Sequence, residues 1–242
     1  MDRLVYSVDT AHARRVASYD RSLRERSRVL RTGAGTDEWL GAIEKSIAEF
    51  GVAVAAARKD VVALLGEKLA ESRGPFPGAV VEVEGTLETM LESTGTLDVE
   101  ALFKRKLRET RISDTESNRT SFGPHRSDLR VYHLEKGLPA VQCSTGEQKA
   151  LLIAIILADA RISTAYQGGA PVLLLDEIAA HLDSGHLEAL FAELRALSIQ
   201  TWLTATDASV FSSIAGEAQT LQIVDGEIRS IRSKSQLIQR TK

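Results

Sequence analysis

The spacing of hydrophobic residues predicts two long helices in the first third of the chain. From residue 11 to 31 there is no glycine or proline, and apolar side chains recur every seven residues at Val16, Leu23 and Leu30. This spacing is typical of an amphipathic helix. Thr36 is a suitable N-cap for a second helix over residues 36–71, in which Leu40, Ile43, Ile47 and Phe50 form the apolar stripe. Because the connection is short, we expect an antiparallel helical hairpin.

The rest of the chain alternates short apolar runs with helical patterns. A strand is predicted from residue 79, a short helix after Asp98, a polar loop after Arg111 and a β-hairpin that turns at Lys136 and Gly137. The predicted order then becomes helix 145–164, strand 172–176, helix 183–197, strand 201–205, helix 207–215 and a hairpin on Asp225 and Gly226. Strands that alternate with helices predict an α/β fold with a largely parallel sheet.

Charge and cysteine content restrict the class of protein. Lys and Arg total 30 against 33 Asp and Glu, so a net charge of −3 provides no overall attraction to nucleic acid. The single cysteine, Cys143, excludes a disulfide within the chain and is typical of a reducing compartment. No signal peptide or membrane-spanning stretch is recognisable, so we expect a cytoplasmic protein without a membrane partner.

Two adjacent carboxylates follow an apolar run. Residues 172–175 are all apolar, as in a strand buried on both faces, and Asp176 and Glu177 come next. The carboxyl end of a parallel strand is where open α/β sheets bind ligands. Asp176 could there hold Mg²⁺, while Glu177 could polarise an attacking water. Two solvent-exposed acids at the end of a strand explain the same pattern equally well.

The stretch S-T-G-E-Q, residues 144–148, marks the start of a helix. Ser144 and Glu147 have the spacing of a capping box, which needs no ligand. Gly146 favours a binding role, because a glycine in the first turn costs helix stability yet lets a phosphate approach the backbone amides.

The order of these segments resembles that of ABC-type ATPases. S-T-G-E-Q and the apolar helix after it correspond to the signature motif, the four apolar residues with D-E to the Walker B motif, and A-H-L-D to the D-loop. Thr206, in T-W-L-T-A-T-D, stands where many of these proteins have the histidine of the switch. Within the superfamily the chain is similar to the RecF family of bacterial recombination mediators. The resemblance rests on T-S-F-G-P-H-R-S-D-L-R-V-Y, residues 120–132, and on the first 31 residues, and it extends over nearly the whole chain.

The resemblance implies a partial ABC-type, P-loop NTPase-like ATPase lobe over residues 111–242 and a helical arm over residues 1–110. None of the 242 residues form the phosphate-binding pattern G-x-x-x-x-G-K-[ST] of Walker A. The chain is therefore interpreted as N-terminally incomplete, and we expect that by itself it neither binds Mg-ATP fully nor hydrolyses it.

Site residues follow from the same resemblance. Glu177 would be catalytic and Asp176 would bind Mg²⁺. The residues expected to bind ATP, partly across a head-to-tail dimer, are Ser144, Thr145, Gly146, Glu147, Gln148, Asp183 and Thr206. The intact protein would be a weak DNA-dependent ATPase that dimerises with ATP. It would act on gapped DNA or on junctions of single and double strands, with RecR and RecO as partners.

Two stretches carry local positive charge suited to DNA. Residues 1–32 contain eight arginines and four acids, and residues 104–130 contain eight basic residues and four acids, a net charge of +4 for each stretch. The candidate phosphate contacts are Arg14, Arg15, Arg21, Arg24, Lys104, Lys106 and Arg108. Solvated helix faces would have the same composition. The roles of His125 and Arg126, functional or structural, stay open.

Two other hypotheses are compatible with the sequence. The chain could be part of another SMC-like or overcoming-lysogenisation-type ATPase, which a longer coiled-coil arm would favour. It could also be a non-catalytic module that binds DNA or a partner protein, because the chain contains no Walker A pattern.

Overall fold

A computed structural model describes residues 1–33, 35–71, 74–167, 171–178 and 182–232. The chain divides into two compact units, Met1–Pro171 and Val172–Lys242. The division expected at residue 110, between a helical arm and an ATPase lobe, stays a prediction.

The predicted helical hairpin is confirmed. The first unit contains seven α-helices among its described residues: α1 Asp2–Tyr6, α2 His12–Thr32, α3 Asp37–Glu71, α4 Thr86–Ser93, α5 Thr96–Glu109, α6 Arg111–Ser117 and α7 Thr145–Gln167. Helices α2 and α3 are antiparallel, since Tyr19 lies beside Gly51 while Arg26 reaches Glu44. Thr36 caps α3 as predicted, its Oγ1 accepting the Trp39 amide at 3.2 Å.

Helix α5 covers the hairpin and completes its hydrophobic core. The core residues come from α2, α3, α4 and α5: Tyr19, Val29, Ile43, Ile47, Ala48, Val52, Ala55, Leu87, Val99, Phe103 and Leu107. The helices approach closely at Gly51, where an added Cβ would lie 2.7 Å from Phe103 and 2.9 Å from Tyr19. Burial of these side chains is the main source of stability in this unit.

The polar loop predicted after Arg111 is wrong, because helix α6 begins there. Serine, threonine and aspartate usually favour turns over helix interiors, since their side chains compete for backbone groups. In α6 the hydroxyls of Ser113, Thr115 and Ser117 instead donate to carbonyls three or four residues earlier. The short helices α1 and α4 were also not predicted, since so few residues give little periodicity.

The first unit also has a small antiparallel sheet beside α3. Its strands are β1 Ala79–Glu84, β2 Asp128–His133 and β3 Leu138–Pro139, in the order β1-β2-β3. Ala79 pairs with His133 and Glu84 with Asp128. The hairpin predicted at Lys136 and Gly137 joins β2 to β3, and Gly137 has a φ of +63°.

The largely parallel sheet expected from the sequence is wrong for the described residues. In the second unit only β4 Leu173–Leu175 and β5 Thr201–Leu203 are parallel, and β6 Thr220–Val224 with β7 Glu227–Arg232 forms a separate antiparallel hairpin. Leu175 is buried, whereas Leu174 is 72% exposed. A strand buried on both faces was therefore also a wrong expectation, because β4 pairs with a single described strand. Helix α8 Ser184–Leu197 confirms the predicted helix, and residues 208–214 form a 3₁₀ helix.

A buried arginine links four elements of the first unit. Arg26 of α2 is fully buried, and its guanidinium donates to Glu44 of α3, to Asp114 of α6 and to the Leu107 carbonyl of α5 at 2.6–3.2 Å. It also donates to Thr120 Oγ1 at 3.2 Å. Two buried carboxylates therefore depend on one guanidinium, although Glu44 is also bound by Arg111.

Replacement of Arg26 should destabilise the chain strongly. In Arg26→Met, Asp114 loses its buried cationic partner and Glu44 loses one of two. We expect the free energy of unfolding to fall by about 3–5 kcal/mol, the usual cost of an unpaired buried charge. Urea denaturation followed by circular dichroism measures this. Arg28→Met, on the exposed side of the same helix, is the matched control and should change stability by less than about 0.5 kcal/mol. Equal stability of the two variants would contradict the role of Arg26.

The contribution of Asp114 should depend on pH. Burial by itself would raise the pKa of this carboxyl, but hydrogen bonds from Ser121, Arg26 and Thr110 lower it below 3.8. A lowered folded-state pKa gives stability that is complete above the unfolded value and is lost as pH falls through the folded value. Wild type should therefore be more stable than Asp114→Asn at pH 6, and the difference should shrink below pH 3.8. A difference that stays constant from pH 6 to pH 2.5 would contradict this.

Candidate nucleotide and nucleic-acid interface

The S-T-G-E-Q segment forms the capping box that its spacing predicts. Ser144 Oγ accepts the Glu147 amide at 3.4 Å, and Glu147 Oε2 accepts the Ser144 amide at 2.9 Å. Gln148 Nε2 donates to the Cys143 carbonyl at 3.1 Å. These bonds fix the start of α7 without using Thr145 or Gly146.

The β2–β3 hairpin is bound to this helix start. Lys136, in the turn, forms an ion pair with Glu147. Its ammonium group and the Ser144 hydrogen bonds lower the pKa of Glu147 to about 2. Glu147 is therefore ionised at neutral pH and already holds the capping box.

The arrangement leaves room for an anion at Gly146. A Cβ placed on this residue would meet no atom within 4 Å, and Ser144, Thr145 and Gly146 are exposed. Amides in the first turn of a helix point toward its positive end, where phosphate groups bind. Behind them α7 is buried along most of its length, so this helix start has a rigid support.

In the second unit, Thr204 hydrogen-bonds to both acidic residues that follow β4. Its Oγ1 donates to Asp176 and accepts the Glu177 amide at 2.8 Å, while its own amide donates to the Leu175 carbonyl. Glu177 has a φ of +47°, in the left-handed region that few non-glycine residues occupy. Asp176 and Glu177 are both exposed.

The sequence did not identify Thr204, although a signal for it exists. Parallel neighbouring strands end at the same edge of a sheet, so a hydroxyl just past β5 should meet the residues just past β4. Thr204 contacts one carboxylate oxygen of Asp176, so the other oxygen could bind a metal ion. The described residues contain no group of three or more His, Cys, Asp or Glu side chains placed for a metal.

Asp183 and Thr206 lie at other element ends of this unit. Asp183 caps α8, its carboxylate accepting the His186 amide at 2.9 Å and contacting His186 Nδ1 at 2.7 Å. The backbone hydrogen bond from His186 lowers the pKa of Asp183. Thr206 is exposed after β5. Of the predicted A-H-L-D stretch, residues 180 and 181 lie outside the described part of the chain.

The arginines predicted on α2 fall into three situations. Arg15 pairs with Asp9. Arg14 and Arg21 are exposed and form no ion pair with the described residues. Arg24 lines a pocket of about 390 Å³ between α2 and the segment that follows α6.

The basic residues predicted on α5 are partly neutralised. Lys106 pairs with Glu109, and Arg108 pairs with Asp37 at 2.8 Å. Lys104 and Arg108 line a groove of about 600 Å³ that also contains the acids Asp37, Glu38 and Glu44. This groove is less suited to phosphate than the pocket at Arg24.

Among the described residues, no helix has the length and hydropathy needed to cross a bilayer. No family model matches the chain.

Sequence relatives cover almost the whole chain. It is 46% identical over 233 residues to the DNA replication and repair protein RecF of Brucella abortus (strain 2308), a match that covers 96% of this chain and 61% of the relative. RecF of Mesorhizobium japonicum is 47% identical over 231 residues, 94% of this chain and 61% of the relative. The chain thus spans about three fifths of the length of these relatives.

A solved structure shares the fold. The recombination mediator protein RecF with ATP, from the RecFOR pathway, superimposes with a TM-score of 0.73 at 19% identity, covering 94% of this chain and 61% of that one. This likeness confirms the predicted α/β fold class. The chain is therefore similar in sequence to RecF proteins and shares the fold of a solved RecF structure over nearly all of its length.

Proposed function

We propose that the chain is part of a RecF-like, ATP-dependent DNA-binding protein of recombinational DNA repair and replication restart. Such a protein helps load recombinase at gapped DNA. The observation that carries the proposal is the 46% identity to a DNA replication and repair protein RecF over 96% of the chain. RecR and RecO are the proposed protein partners.

The proposed nucleotide role of this chain combines two sets of residues. Ser144, with Thr145, Gly146, Glu147 and Gln148, would meet the γ-phosphate of ATP held by a second subunit. The open space at Gly146 and its free first-turn position support this role. ATP, when bound, would supply the contacts that join two subunits into a dimer.

The second set lies after β4. Asp176 would hold Mg²⁺ with the carboxylate oxygen that Thr204 leaves free, and Glu177 would orient the attacking water. Asp183 would contact the other subunit, and Thr206 would lie near the nucleotide. The division into an arm, residues 1–110, and a lobe, residues 111–242, is proposed as the division between DNA- or partner-binding and ATP-dependent functions.

DNA binding by the 242-residue chain tests the proposal directly. We expect fluorescence anisotropy to show binding to a labelled gapped duplex at 50 mM salt, and the affinity should fall steeply between 50 and 200 mM because phosphate contacts release counterions. An intact duplex of the same length and a free single strand complete the set of probes. Failure to bind any of the three DNAs at 50 mM salt would contradict the proposed function.

A further inference from the structure

Half of the residues that line the pocket of about 390 Å³ in the first unit are arginines. Three lie on α2 and two lie in the segment after α6: Arg24, Arg28, Arg31, Arg119 and Arg126. Ser27 and Asn118 add a hydroxyl and an amide to the same lining. We call this feature the arginine pocket.

The arginines of this pocket have no carboxylate partner among the described residues. Elsewhere in the described chain, most arginines are ion-paired: Arg15, Arg26, Arg58, Arg105, Arg108, Arg111, Arg130, Arg195 and Arg229. Arg24, Arg28 and Arg31 are spaced by four and three residues, so they share one face of α2 and repel each other. An anionic ligand would offset this repulsion.

Buried contacts hold the far wall of the pocket in place. Asp114 accepts the Ser121 amide at 2.9 Å and the Arg26 guanidinium at 2.8 Å. Arg26 also donates to Thr120, whose neighbour Arg119 faces the pocket. The position of Arg119 is thus set by the buried network.

The G-P-H-R segment, residues 123–126, is fixed in a similar way. Gly123 has a φ of +139°, and an added Cβ would lie 2.4 Å from the Tyr19 hydroxyl. The carbonyl of Pro124 accepts a hydrogen bond from Arg58 at 2.5 Å. Any residue with a side chain at position 123 would collide with the Tyr19 hydroxyl.

His125 completes the support. Its Nε2 lies 2.8 Å from the Thr120 carbonyl, which can only accept, so Nε2 carries the proton. Nδ1 of the neutral ring then accepts from Tyr19 at 2.7 Å. Burial lowers the pKa of His125, which favours this neutral form. Three residues of the motif position the loop, and Arg126 is left exposed at the pocket.

We propose that the arginine pocket binds backbone phosphates of DNA. This inference rests on the proposed function and names the surface that carries it out. Arg24 and Arg31 are separated by about 10 Å along the helix axis, given 1.5 Å of rise for each residue, which is enough for more than one phosphate. Guanidinium groups suit phosphate because they donate in a planar fork. With Leu23 as the apolar lining residue and no Phe, Tyr or Trp to stack a base, the contacts should not read sequence.

The double variant Arg119→Gln/Arg126→Gln tests the inference. Each lost phosphate contact lowers the slope of log K against log salt by about 0.9, so the slope should fall by nearly two and the affinity at 100 mM salt by about tenfold or more. The loss should be the same for two duplexes of unrelated sequence. Both side chains are exposed, so the thermal unfolding temperature should stay within about 2 °C of wild type.

Arg130→Gln/Arg195→Gln is the matched control. This variant also removes two positive charges, but from exposed arginines outside the pocket that are ion-paired with Glu84 and Glu217. It should leave the slope of log K against log salt unchanged. If wild type binds DNA and both double variants weaken binding equally, the pocket has no special role and the inference is wrong.

Free nucleotide offers the same phosphate chemistry and is tested separately. Mg-ATP binding is measured by isothermal titration calorimetry without DNA. If Arg119→Gln/Arg126→Gln abolishes nucleotide binding but keeps DNA affinity, the pocket serves nucleotide and the inference is overturned. If wild type binds no DNA at all, the proposed function fails as well, so the two failures are distinguishable.

Discussion

A buried positive charge organises the first unit of this molecule. The Arg26 guanidinium is removed from water, which would cost several kcal/mol if its donors lacked partners. Its acceptors come from different elements: Glu44, Asp114, the Leu107 carbonyl and the Thr120 hydroxyl. Because these groups must all be present at once, α2, α3, α5 and the segment after α6 are held in one arrangement. The arginine pocket is the outer surface of that arrangement.

The groups suited to ligands share one structural situation. Gly146 lies in the first turn of α7, Asp176 follows β4 and Asp183 precedes α8. At such ends the backbone has unpaired groups and the side chains reach solvent. In each case a neighbour fixes the local backbone: Glu147 at the start of α7, Thr204 after β4 and His186 at α8. Hydrogen bonds from nearby residues therefore fix the backbone at each of these exposed groups.

Much of the fold could be predicted because its signals are local. The 35-residue α3, its Thr36 cap, the turn at Gly137 and the capping box at Ser144 each depend on residues within a few positions of one another. Helix α6 was missed because its polar composition resembles a loop, and its stability comes partly from the distant Arg26. The exposure of Leu174 also depends on which strands pair with β4, and an apolar run does not carry that information.

The candidate site was predictable to a similar extent. Motif order located Asp176 and Glu177, but Thr204, which joins them, is 27 residues away from Glu177 in sequence. Net charge pointed to α2 as a basic element, yet it did not separate the buried Arg26 from the exposed Arg28. That distinction requires knowledge of which face of α2 meets α3 and α6. The pocket combines residues about 100 positions apart, such as Arg24 and Arg126, which only tertiary structure brings together.

The Arg26 network also limits how the sequence can diverge. A change at position 26 alone leaves the buried Asp114 without a cationic partner and Glu44 with only one. Exchanging the guanidinium and its carboxylate partners for apolar residues of similar volume can instead be nearly neutral. Glu44 has a second partner, Arg111, so the substitutions would extend to the protein surface. Viable lineages should therefore pass through compensated intermediates, and residues 26, 44, 111 and 114 should be inherited as a linked group.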